Sequence, residues 1–205
     1  MHKRLALVTG AMVACAAPLA AEAKAPVRAI YGGVLYHDVP LTNDSSGGIE
    51  DPPNVQAEVQ FESPRVFRYI ADPSIYVMGS LNTRGDTSFG GFGLNWKFHF
   101  AKKWAIEPGI GYVVHNGELE FPFPPGDPRN AGFNDENILF GSRDLFRLTL
   151  GLTRDFGRRW SGQIYYEHLS HGQIIGEGRN QGLDSVGLRV AYRFRNRDGD
   201  PISRE

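Results

Sequence analysis

Three residues toward the C-terminal end can do chemistry together: His168, Ser170 and Asp184. They belong to a stretch that begins as a strand of aromatic and β-branched residues (Ile164, Tyr165, Tyr166), passes a glycine-rich turn region from Gly172 to Gly182, and re-enters a strand at Leu183. Side chains two apart on a strand share a face, so His168 and Ser170 point the same way. Residues opposite each other across a hairpin also share a face. A turn centred near Gly176 or Glu177 pairs Asp184 with either His168 or Ser170. A hydroxyl, an imidazole and a carboxylate then converge, as nucleophile, base and orienting acid require.

The face they occupy is the unexpected part. Trp160, Ile164 and Tyr166 share it on the first strand, and Val186, Leu188, Val190, Tyr192 and Phe194 on the second. Gln163, Glu167, Ser185, Arg189 and Arg193 lie on the opposite faces. The polar trio therefore sits on the apolar side. The plain alternative is polar residues at the membrane rim, where headgroups tolerate them. Three that converge, where ionisable groups meet lipid, point to function.

The elements that must position these residues alternate throughout the chain. Val27 to His37 reads as a first strand, and Asn54 to Glu62 as the cleanest, with Val55, Ala57, Val59 and Phe61 opposed to Gln56, Glu58 and Gln60. Further strands follow around Ile75–Leu81, Phe92–Phe100, Trp104–Val114 and Phe146–Leu152, before the hairpin supplies the seventh and eighth. Period-2 alternation without a helical period predicts an all-β fold. Eight strands of about ten residues are long enough to cross a bilayer when tilted. One face is rich in Phe, Leu, Trp and Val, the other in Gly, Asn, Gln, Lys, Arg and Glu. A narrow eight-stranded interior takes glycines and paired charges more readily than many aromatics. The aromatic face is thus assigned to lipid, with Trp96, Trp104, Tyr112, Trp160 and Tyr192 at the interfaces. Glu167 then faces the interior as a barrel-filling charge, with Arg189 as its expected partner.

Loop lengths agree with an eight-stranded antiparallel transmembrane β-barrel of the outer membrane. Ala101–Lys103 and Gly157–Arg159 are tight turns at one end, while segments 38–53, 117–141 and 171–182 are long and lie at the other. Segment 63–73 is long for a tight turn, and Val66 to Ile70 is read there as a strand extension. Residues 1–23 read as a cleaved signal peptide: a basic start, an apolar run and the small-x-small site Ala21-Glu22-Ala23. The barrel spans 24–194, and 195–205 form a polar C-terminal tail. The single cysteine, Cys15, falls in the leader, so the mature chain is expected to lack thiols. The chain's 205 residues suffice for one domain, and a net charge of −1 gives no argument for nucleic acid.

With these residues in place, the hairpin resembles the outer-membrane lipid A 3-O-deacylases, the PagL-type acyloxyacyl hydrolases. The matching residues are His168-Leu169-Ser170 and Asn180-Gln181-Gly182-Leu183-Asp184. The resemblance implies Ser170 as nucleophile, His168 as its base and Asp184 as the acid that orients the histidine. It implies lipid A or lipopolysaccharide as substrate, with removal of a 3-O-linked hydroxyacyl chain, and a Gram-negative outer membrane as location. Three departures stand out. Asp184 replaces the usual Glu, His171 replaces the Asn that is a candidate oxyanion donor, and a tail follows the terminal aromatic Phe194. His171 through its ring, or Gly172 through its backbone N–H, are the oxyanion candidates.

Other motifs carry less. Gly90-Gly91-Phe92-Gly93 sits mid-strand with no helix after it, unlike a nucleotide loop. Arg84-Gly85-Asp86 is read as a tight turn. His37, His99 and His115 lack metal-ligand spacing, and a Ser–His ester hydrolase needs neither metal nor cofactor, so none is assigned. Phe121-Pro122-Phe123-Pro124-Pro125 is either an acyl-chain guide or a stiff surface loop. Two function classes remain: a serine esterase acting on lipid A, and a non-catalytic outer-membrane barrel with a structural or binding role. The oligomeric state, a homodimer included, stays open.

Overall fold

A computed structural model describes residues 27–42, 47–176 and 179–194. The expected leader (1–23) and polar tail (195–205) lie outside the described residues. Among the described residues nine strands run in order: β1 (Val27–His37), β2 (Asn54–Phe61), β3 (Ser74–Asn82), β4 (Phe89–Asn95), β5 (Phe98–Ala101), β6 (Trp104–His115), β7 (Asp144–Asp155), β8 (Trp160–Ser170) and β9 (Leu183–Arg193). All pairings are antiparallel between neighbours. β1 pairs with both β2 and β9, and β4 with β6, so the sheet closes on itself. β4 and β5 are one stave, giving eight. The stave is interrupted at Trp96-Lys97 because Pro108 of β6 stands opposite: it accepts the Trp96 N–H at 2.9 Å but has no N–H to return.

The alternation predicted from the sequence is the alternation of the wall. Odd residues of β8 are buried and even ones face outward; Ile164 is 61% exposed and Leu188 on β9 67%. That apolar exterior matches hydrocarbon, and a closed ladder leaves no edge unpaired in it. Among the described residues no helix is long and apolar enough to cross a membrane.

The lumen is filled, not open. Arg147 donates to Glu167 at 2.9 Å and to the Tyr165 hydroxyl at 2.6 Å, while Arg189 reaches both oxygens of Glu58 at 3.1 and 3.3 Å. Glu167 is therefore a lumenal charge as expected, but its partners are Arg147 and Gln56, and Arg189 serves Glu58. Toward the short-turn end, Lys97 bridges Glu107 and Asp155 at 3.2 and 3.3 Å. Glycines make the room. A Cβ at Gly111 or Gly93 would come within 2.0 or 2.5 Å of the Tyr76 hydroxyl. At the long-loop end an apolar plug closes the barrel, with Ile138 and Phe140 from loop 116–143 packed on Met78, Phe89, Leu145, Leu169 and Leu183.

Two loop readings are corrected. Arg65–Ile70 forms a 3-10 helix, not a strand extension, because Pro64 starts it and Ala71 ends it in the left-handed region at φ 64°. Loop 116–143 contains a short helix, α1 (Arg129–Glu136), for which the sequence offers no apolar stripe; its buried residue is Asn130. Just before it Asp127 accepts from the Arg129 side chain, which holds the Asp127 carboxyl below its ordinary range.

Candidate active site

β8 and β9 place the polar trio at the long-loop rim of the wall. His168 and Asp184 are direct cross-strand partners, and Ser170 ends β8 opposite Phe146 of β7. Directly opposite side chains start about 5 Å apart, so a short carboxylate reaches an imidazole without a shift of register. His168 Nδ1 lies 2.8 Å from Asp184 Oδ1. A carboxylate accepts only, so Nδ1 carries the proton and Nε2 is the basic nitrogen. Ser170 lies two residues beyond on that same outer face.

Asp184 lies on the outward phase of β9 yet is completely buried. Residues 39–42 cover it. Thr42 donates to Oδ2 twice, through its N–H at 2.8 Å and its hydroxyl at 2.7 Å. The Tyr166 hydroxyl donates to Oδ1 at 2.8 Å, sharing that oxygen with His168. The Val39 N–H bonds the Asp184 carbonyl at 2.9 Å. The acid is thus held by four donors, a fixed anion against which the imidazole is oriented. Neither Thr42 nor Tyr166 is singled out by the sequence. Tyr166 carried a signal, being two residues before His168 on its face; Thr42, 142 positions from Asp184, carried none.

His171 goes elsewhere. Its ring is fully buried among Gly141 and Gly176, with Nε2 2.9 Å from the Arg179 carbonyl and Nδ1 accepting the Gln173 N–H at 3.1 Å. Both nitrogens are engaged by backbone groups of the turn. The physical reason is the pleat itself: residue 171 continues the inward phase of 167 and 169. Gly172, the other candidate, takes a left-handed φ of 60° and lies exposed beside Phe146 and Ile174. Asn180 supports the turn, its Oδ1 accepting the His171 N–H at 3.1 Å. Gln181 ties the turn to the apolar plug by accepting the Leu139 N–H at 2.7 Å.

The surroundings are apolar. Phe146, Leu148, Tyr166, Val186 and Ile174 flank the trio on the outer face. In the aromatic loop the Arg179 guanidinium stands 4.9 Å over Phe121, and Arg129 3.9 Å over Phe123. Among the described residues the other histidines stand beside Glu50 (His37, 2.6 Å), Asp155 (His99, 3.5 Å) and the Ser142 carbonyl (His115, 2.7 Å). Among the described residues no group of three or more His, Cys, Asp or Glu is arranged to hold a metal.

Comparison with known proteins agrees with this architecture. No curated protein sequence matches the chain. The crystal structure of the outer membrane enzyme PagL superposes with a TM-score of 0.52 at 14% identity, covering 80% of this chain and 97% of that one. Neisserial surface protein A gives 0.49 at 8% identity, covering 81% and 96%. At these identities the likeness concerns the fold, and the first of the two carries it. The family is given by a different comparison: the protein-family model described as lipid A 3-O-deacylase (PagL) matches residues 54–193, from β2 through β9. The chain is an outer-membrane β-barrel and belongs to the lipid A 3-O-deacylase (PagL) family.

Proposed function

We propose that the protein is a serine esterase that hydrolyses the ester-linked 3-O-acyl chain of lipid A in the outer leaflet of the outer membrane. The observation that carries this reading is the 2.8 Å contact between His168 Nδ1 and Asp184 on the lipid-facing side, with Ser170 on the same face. His168 Nε2 takes the proton of Ser170 Oγ as that oxygen attacks the ester carbonyl. The Gly172 N–H serves the developing oxyanion. The imidazolium, held by Asp184, returns the proton to the sugar oxygen as it leaves. Water, deprotonated by the same nitrogen, then releases the fatty acid from Ser170.

The site's position suits a substrate that never leaves the bilayer. Lifting an acyl chain into water costs about 0.8 kcal/mol per CH₂. A nucleophile on the outer wall meets the ester by lateral diffusion of the lipid.

The decisive experiment is the mass of lipid A incubated with the purified barrel and with its Ser170→Ala variant. Loss of one hydroxyacyl chain with the parent alone is the expected result. Unchanged lipid A with both leaves the non-catalytic barrel as the reading. The location has its own test. A fluorophore on Ser170→Cys should be quenched by lipid-attached spin labels, whereas one on Ser185→Cys, on the lumenal face, should not. A Ser170→Cys probe as sheltered from the spin labels as the Ser185→Cys probe would mean that the site is inside.

A further inference from the structure

The two rims of the barrel carry opposite charge. The long-loop segments 38–53, 83–88, 116–143 and 171–182 hold eleven Asp and Glu against four Arg. The short-turn segments 62–73, 102–103 and 156–159 hold six Lys and Arg against two acids. Short turns are the periplasmic end of an outer-membrane barrel.

The tryptophans are just as one-sided. All three tryptophans, Trp96, Trp104 and Trp160, lie at the short-turn end, at the break of the β4–β5 stave and at the starts of β6 and β8. Exposed arginines lean over rings there. The Arg68 guanidinium stands 4.6 Å over Tyr69, Arg154 lies 5.3 Å from Trp104 and 5.9 Å from Phe156, and Arg159 lies 5.8 Å from Tyr192. Beside them the 3-10 helix presents Val66, Tyr69 and Ile70 outward, and it is tied to the wall by the Trp96 indole N–H bonded to the Ile70 carbonyl at 2.6 Å.

An aromatic belt sets the depth of this rim at the boundary between acyl chains and headgroups. The stacking keeps the arginine forks at that depth; Arg68 and Arg159 each give one N–H to the hydroxyl of the tyrosine beneath them and leave their other N–H groups for phosphate oxygens. We infer that the short-turn rim is a binding belt for anionic glycerophospholipid headgroups in the periplasmic leaflet. A zwitterionic headgroup carries a cation beside its phosphate and is attracted less; a net-negative one meets the excess of cations directly. The acidic opposite rim confines the preference to one leaflet. The inference is independent of the esterase reading, because no residue of the trio takes part.

The tryptophans supply the readout, since every one of them reports on this rim. The mature barrel is reconstituted in phosphatidylcholine bilayers containing bromine-labelled phosphatidylglycerol or, at equal mole fraction, bromine-labelled phosphatidylcholine. Phosphatidylglycerol should quench tryptophan fluorescence with an apparent association about two- to threefold stronger. The ratio should fall toward one in about 0.5 M salt, where exposed charges are screened. It should also fall toward one in the combined variant Arg68→Gln, Lys103→Gln, Arg154→Gln, Arg159→Gln, with quenching by phosphatidylcholine retained as proof of insertion. Equal quenching of the parent by both lipids at low salt overturns the inference, as does a preference that survives both salt and the substitutions. Should the combined variant fail to insert, the salt titration of the parent decides alone.

Discussion

Glu167 and His168 are neighbours on one strand, opposite Ser185 and Asp184 on the next, and they live in different solvents. Glu167 faces the lumen, where Arg147 and both donations from the Gln56 amide satisfy its carboxylate. It is one node of a network that includes Glu58, Arg189 and Tyr165. Such a network fills a narrow barrel, and every charge in it has a structural reason to be there. One residue on, His168 lies on the outward phase of the wall, where packing gives no reason for an imidazole and the strand neighbours are Leu148, Leu150 and Ile164. What distinguishes a site from a scaffold here is not ion pairing, which both have, but the solvent the pair faces. Charge inside the barrel is filling. Charge on its outer wall calls for chemistry.

The contrast breaks most visibly in kinetics. Ser170→Ala and His168→Asn should each lower deacylation about 10³-fold or more. The double variant should be no worse than either, because residues that act as one unit are not additive. Glu167→Gln, one position away, should keep activity per folded molecule within about threefold. Quantifying released hydroxyacyl chains from purified variants decides this, and a large kinetic loss in Glu167→Gln would erase the distinction between the faces. Asp184→Asn should fall between these, about ten- to a hundredfold milder than Ser170→Ala, since the acid orients and stabilises rather than reacts.

In stability the order reverses. Arg147→Leu leaves Glu167 and Glu58 without a guanidinium they share, and removing one partner of a buried pair costs about 3–5 kcal/mol. Denaturant titration in detergent should show that loss, whereas Ser170→Ala should shift the midpoint hardly at all. Deacylation per folded Arg147→Leu barrel should stay near that of the parent.

How much of this was legible in the sequence follows the same division. The wall was, because lumen and lipid impose opposite demands at every second residue, so that Gln56, Glu58 and Gln60 alternate with Val55, Ala57 and Val59. His168 and Asp184 were legible for the same reason, together with the hairpin that pairs them. His171 should have been: alternation sends it inward with Leu169. What local pattern could not give was contact across the chain. Arg147 rather than Arg189 reaches Glu167, a matter of which of two inward arginines lies nearer in a packed lumen. Pro108 breaking the opposite stave needed the register. The 3-10 helix depended on the backbone of Ala71, a residue with no preference for the left-handed region. Loop 38–53 over Asp184 had no periodicity to betray it.

That loop gives the smallest effect and the sharpest form of the comparison, because the molecule uses one device twice. Thr42 grips Asp184 with its N–H at 2.8 Å and its hydroxyl at 2.7 Å; Thr87 grips Glu50 with its N–H at 3.1 Å and its hydroxyl at 2.6 Å. Both carboxylates also meet a histidine, His168 at 2.8 Å and His37 at 2.6 Å. One assembly sits on the outer wall beside Ser170; the other is buried under the loops with no hydroxyl of the trio near it in sequence. Replacing either threonine by valine keeps the backbone donor and removes one charge-assisted hydrogen bond, worth about 1.5–3 kcal/mol before the remaining donor compensates. At Thr42 the loss should appear in orientation of the imidazole: kcat down about tenfold, KM unchanged, and restored by Thr42→Ser. At Thr87 it should appear as about 1 kcal/mol of unfolding free energy with kcat intact. A Thr42→Val enzyme that loses stability but not kcat would make that clamp a loop fastener like its counterpart, and would leave Tyr166 and the strand pairing to hold the acid alone.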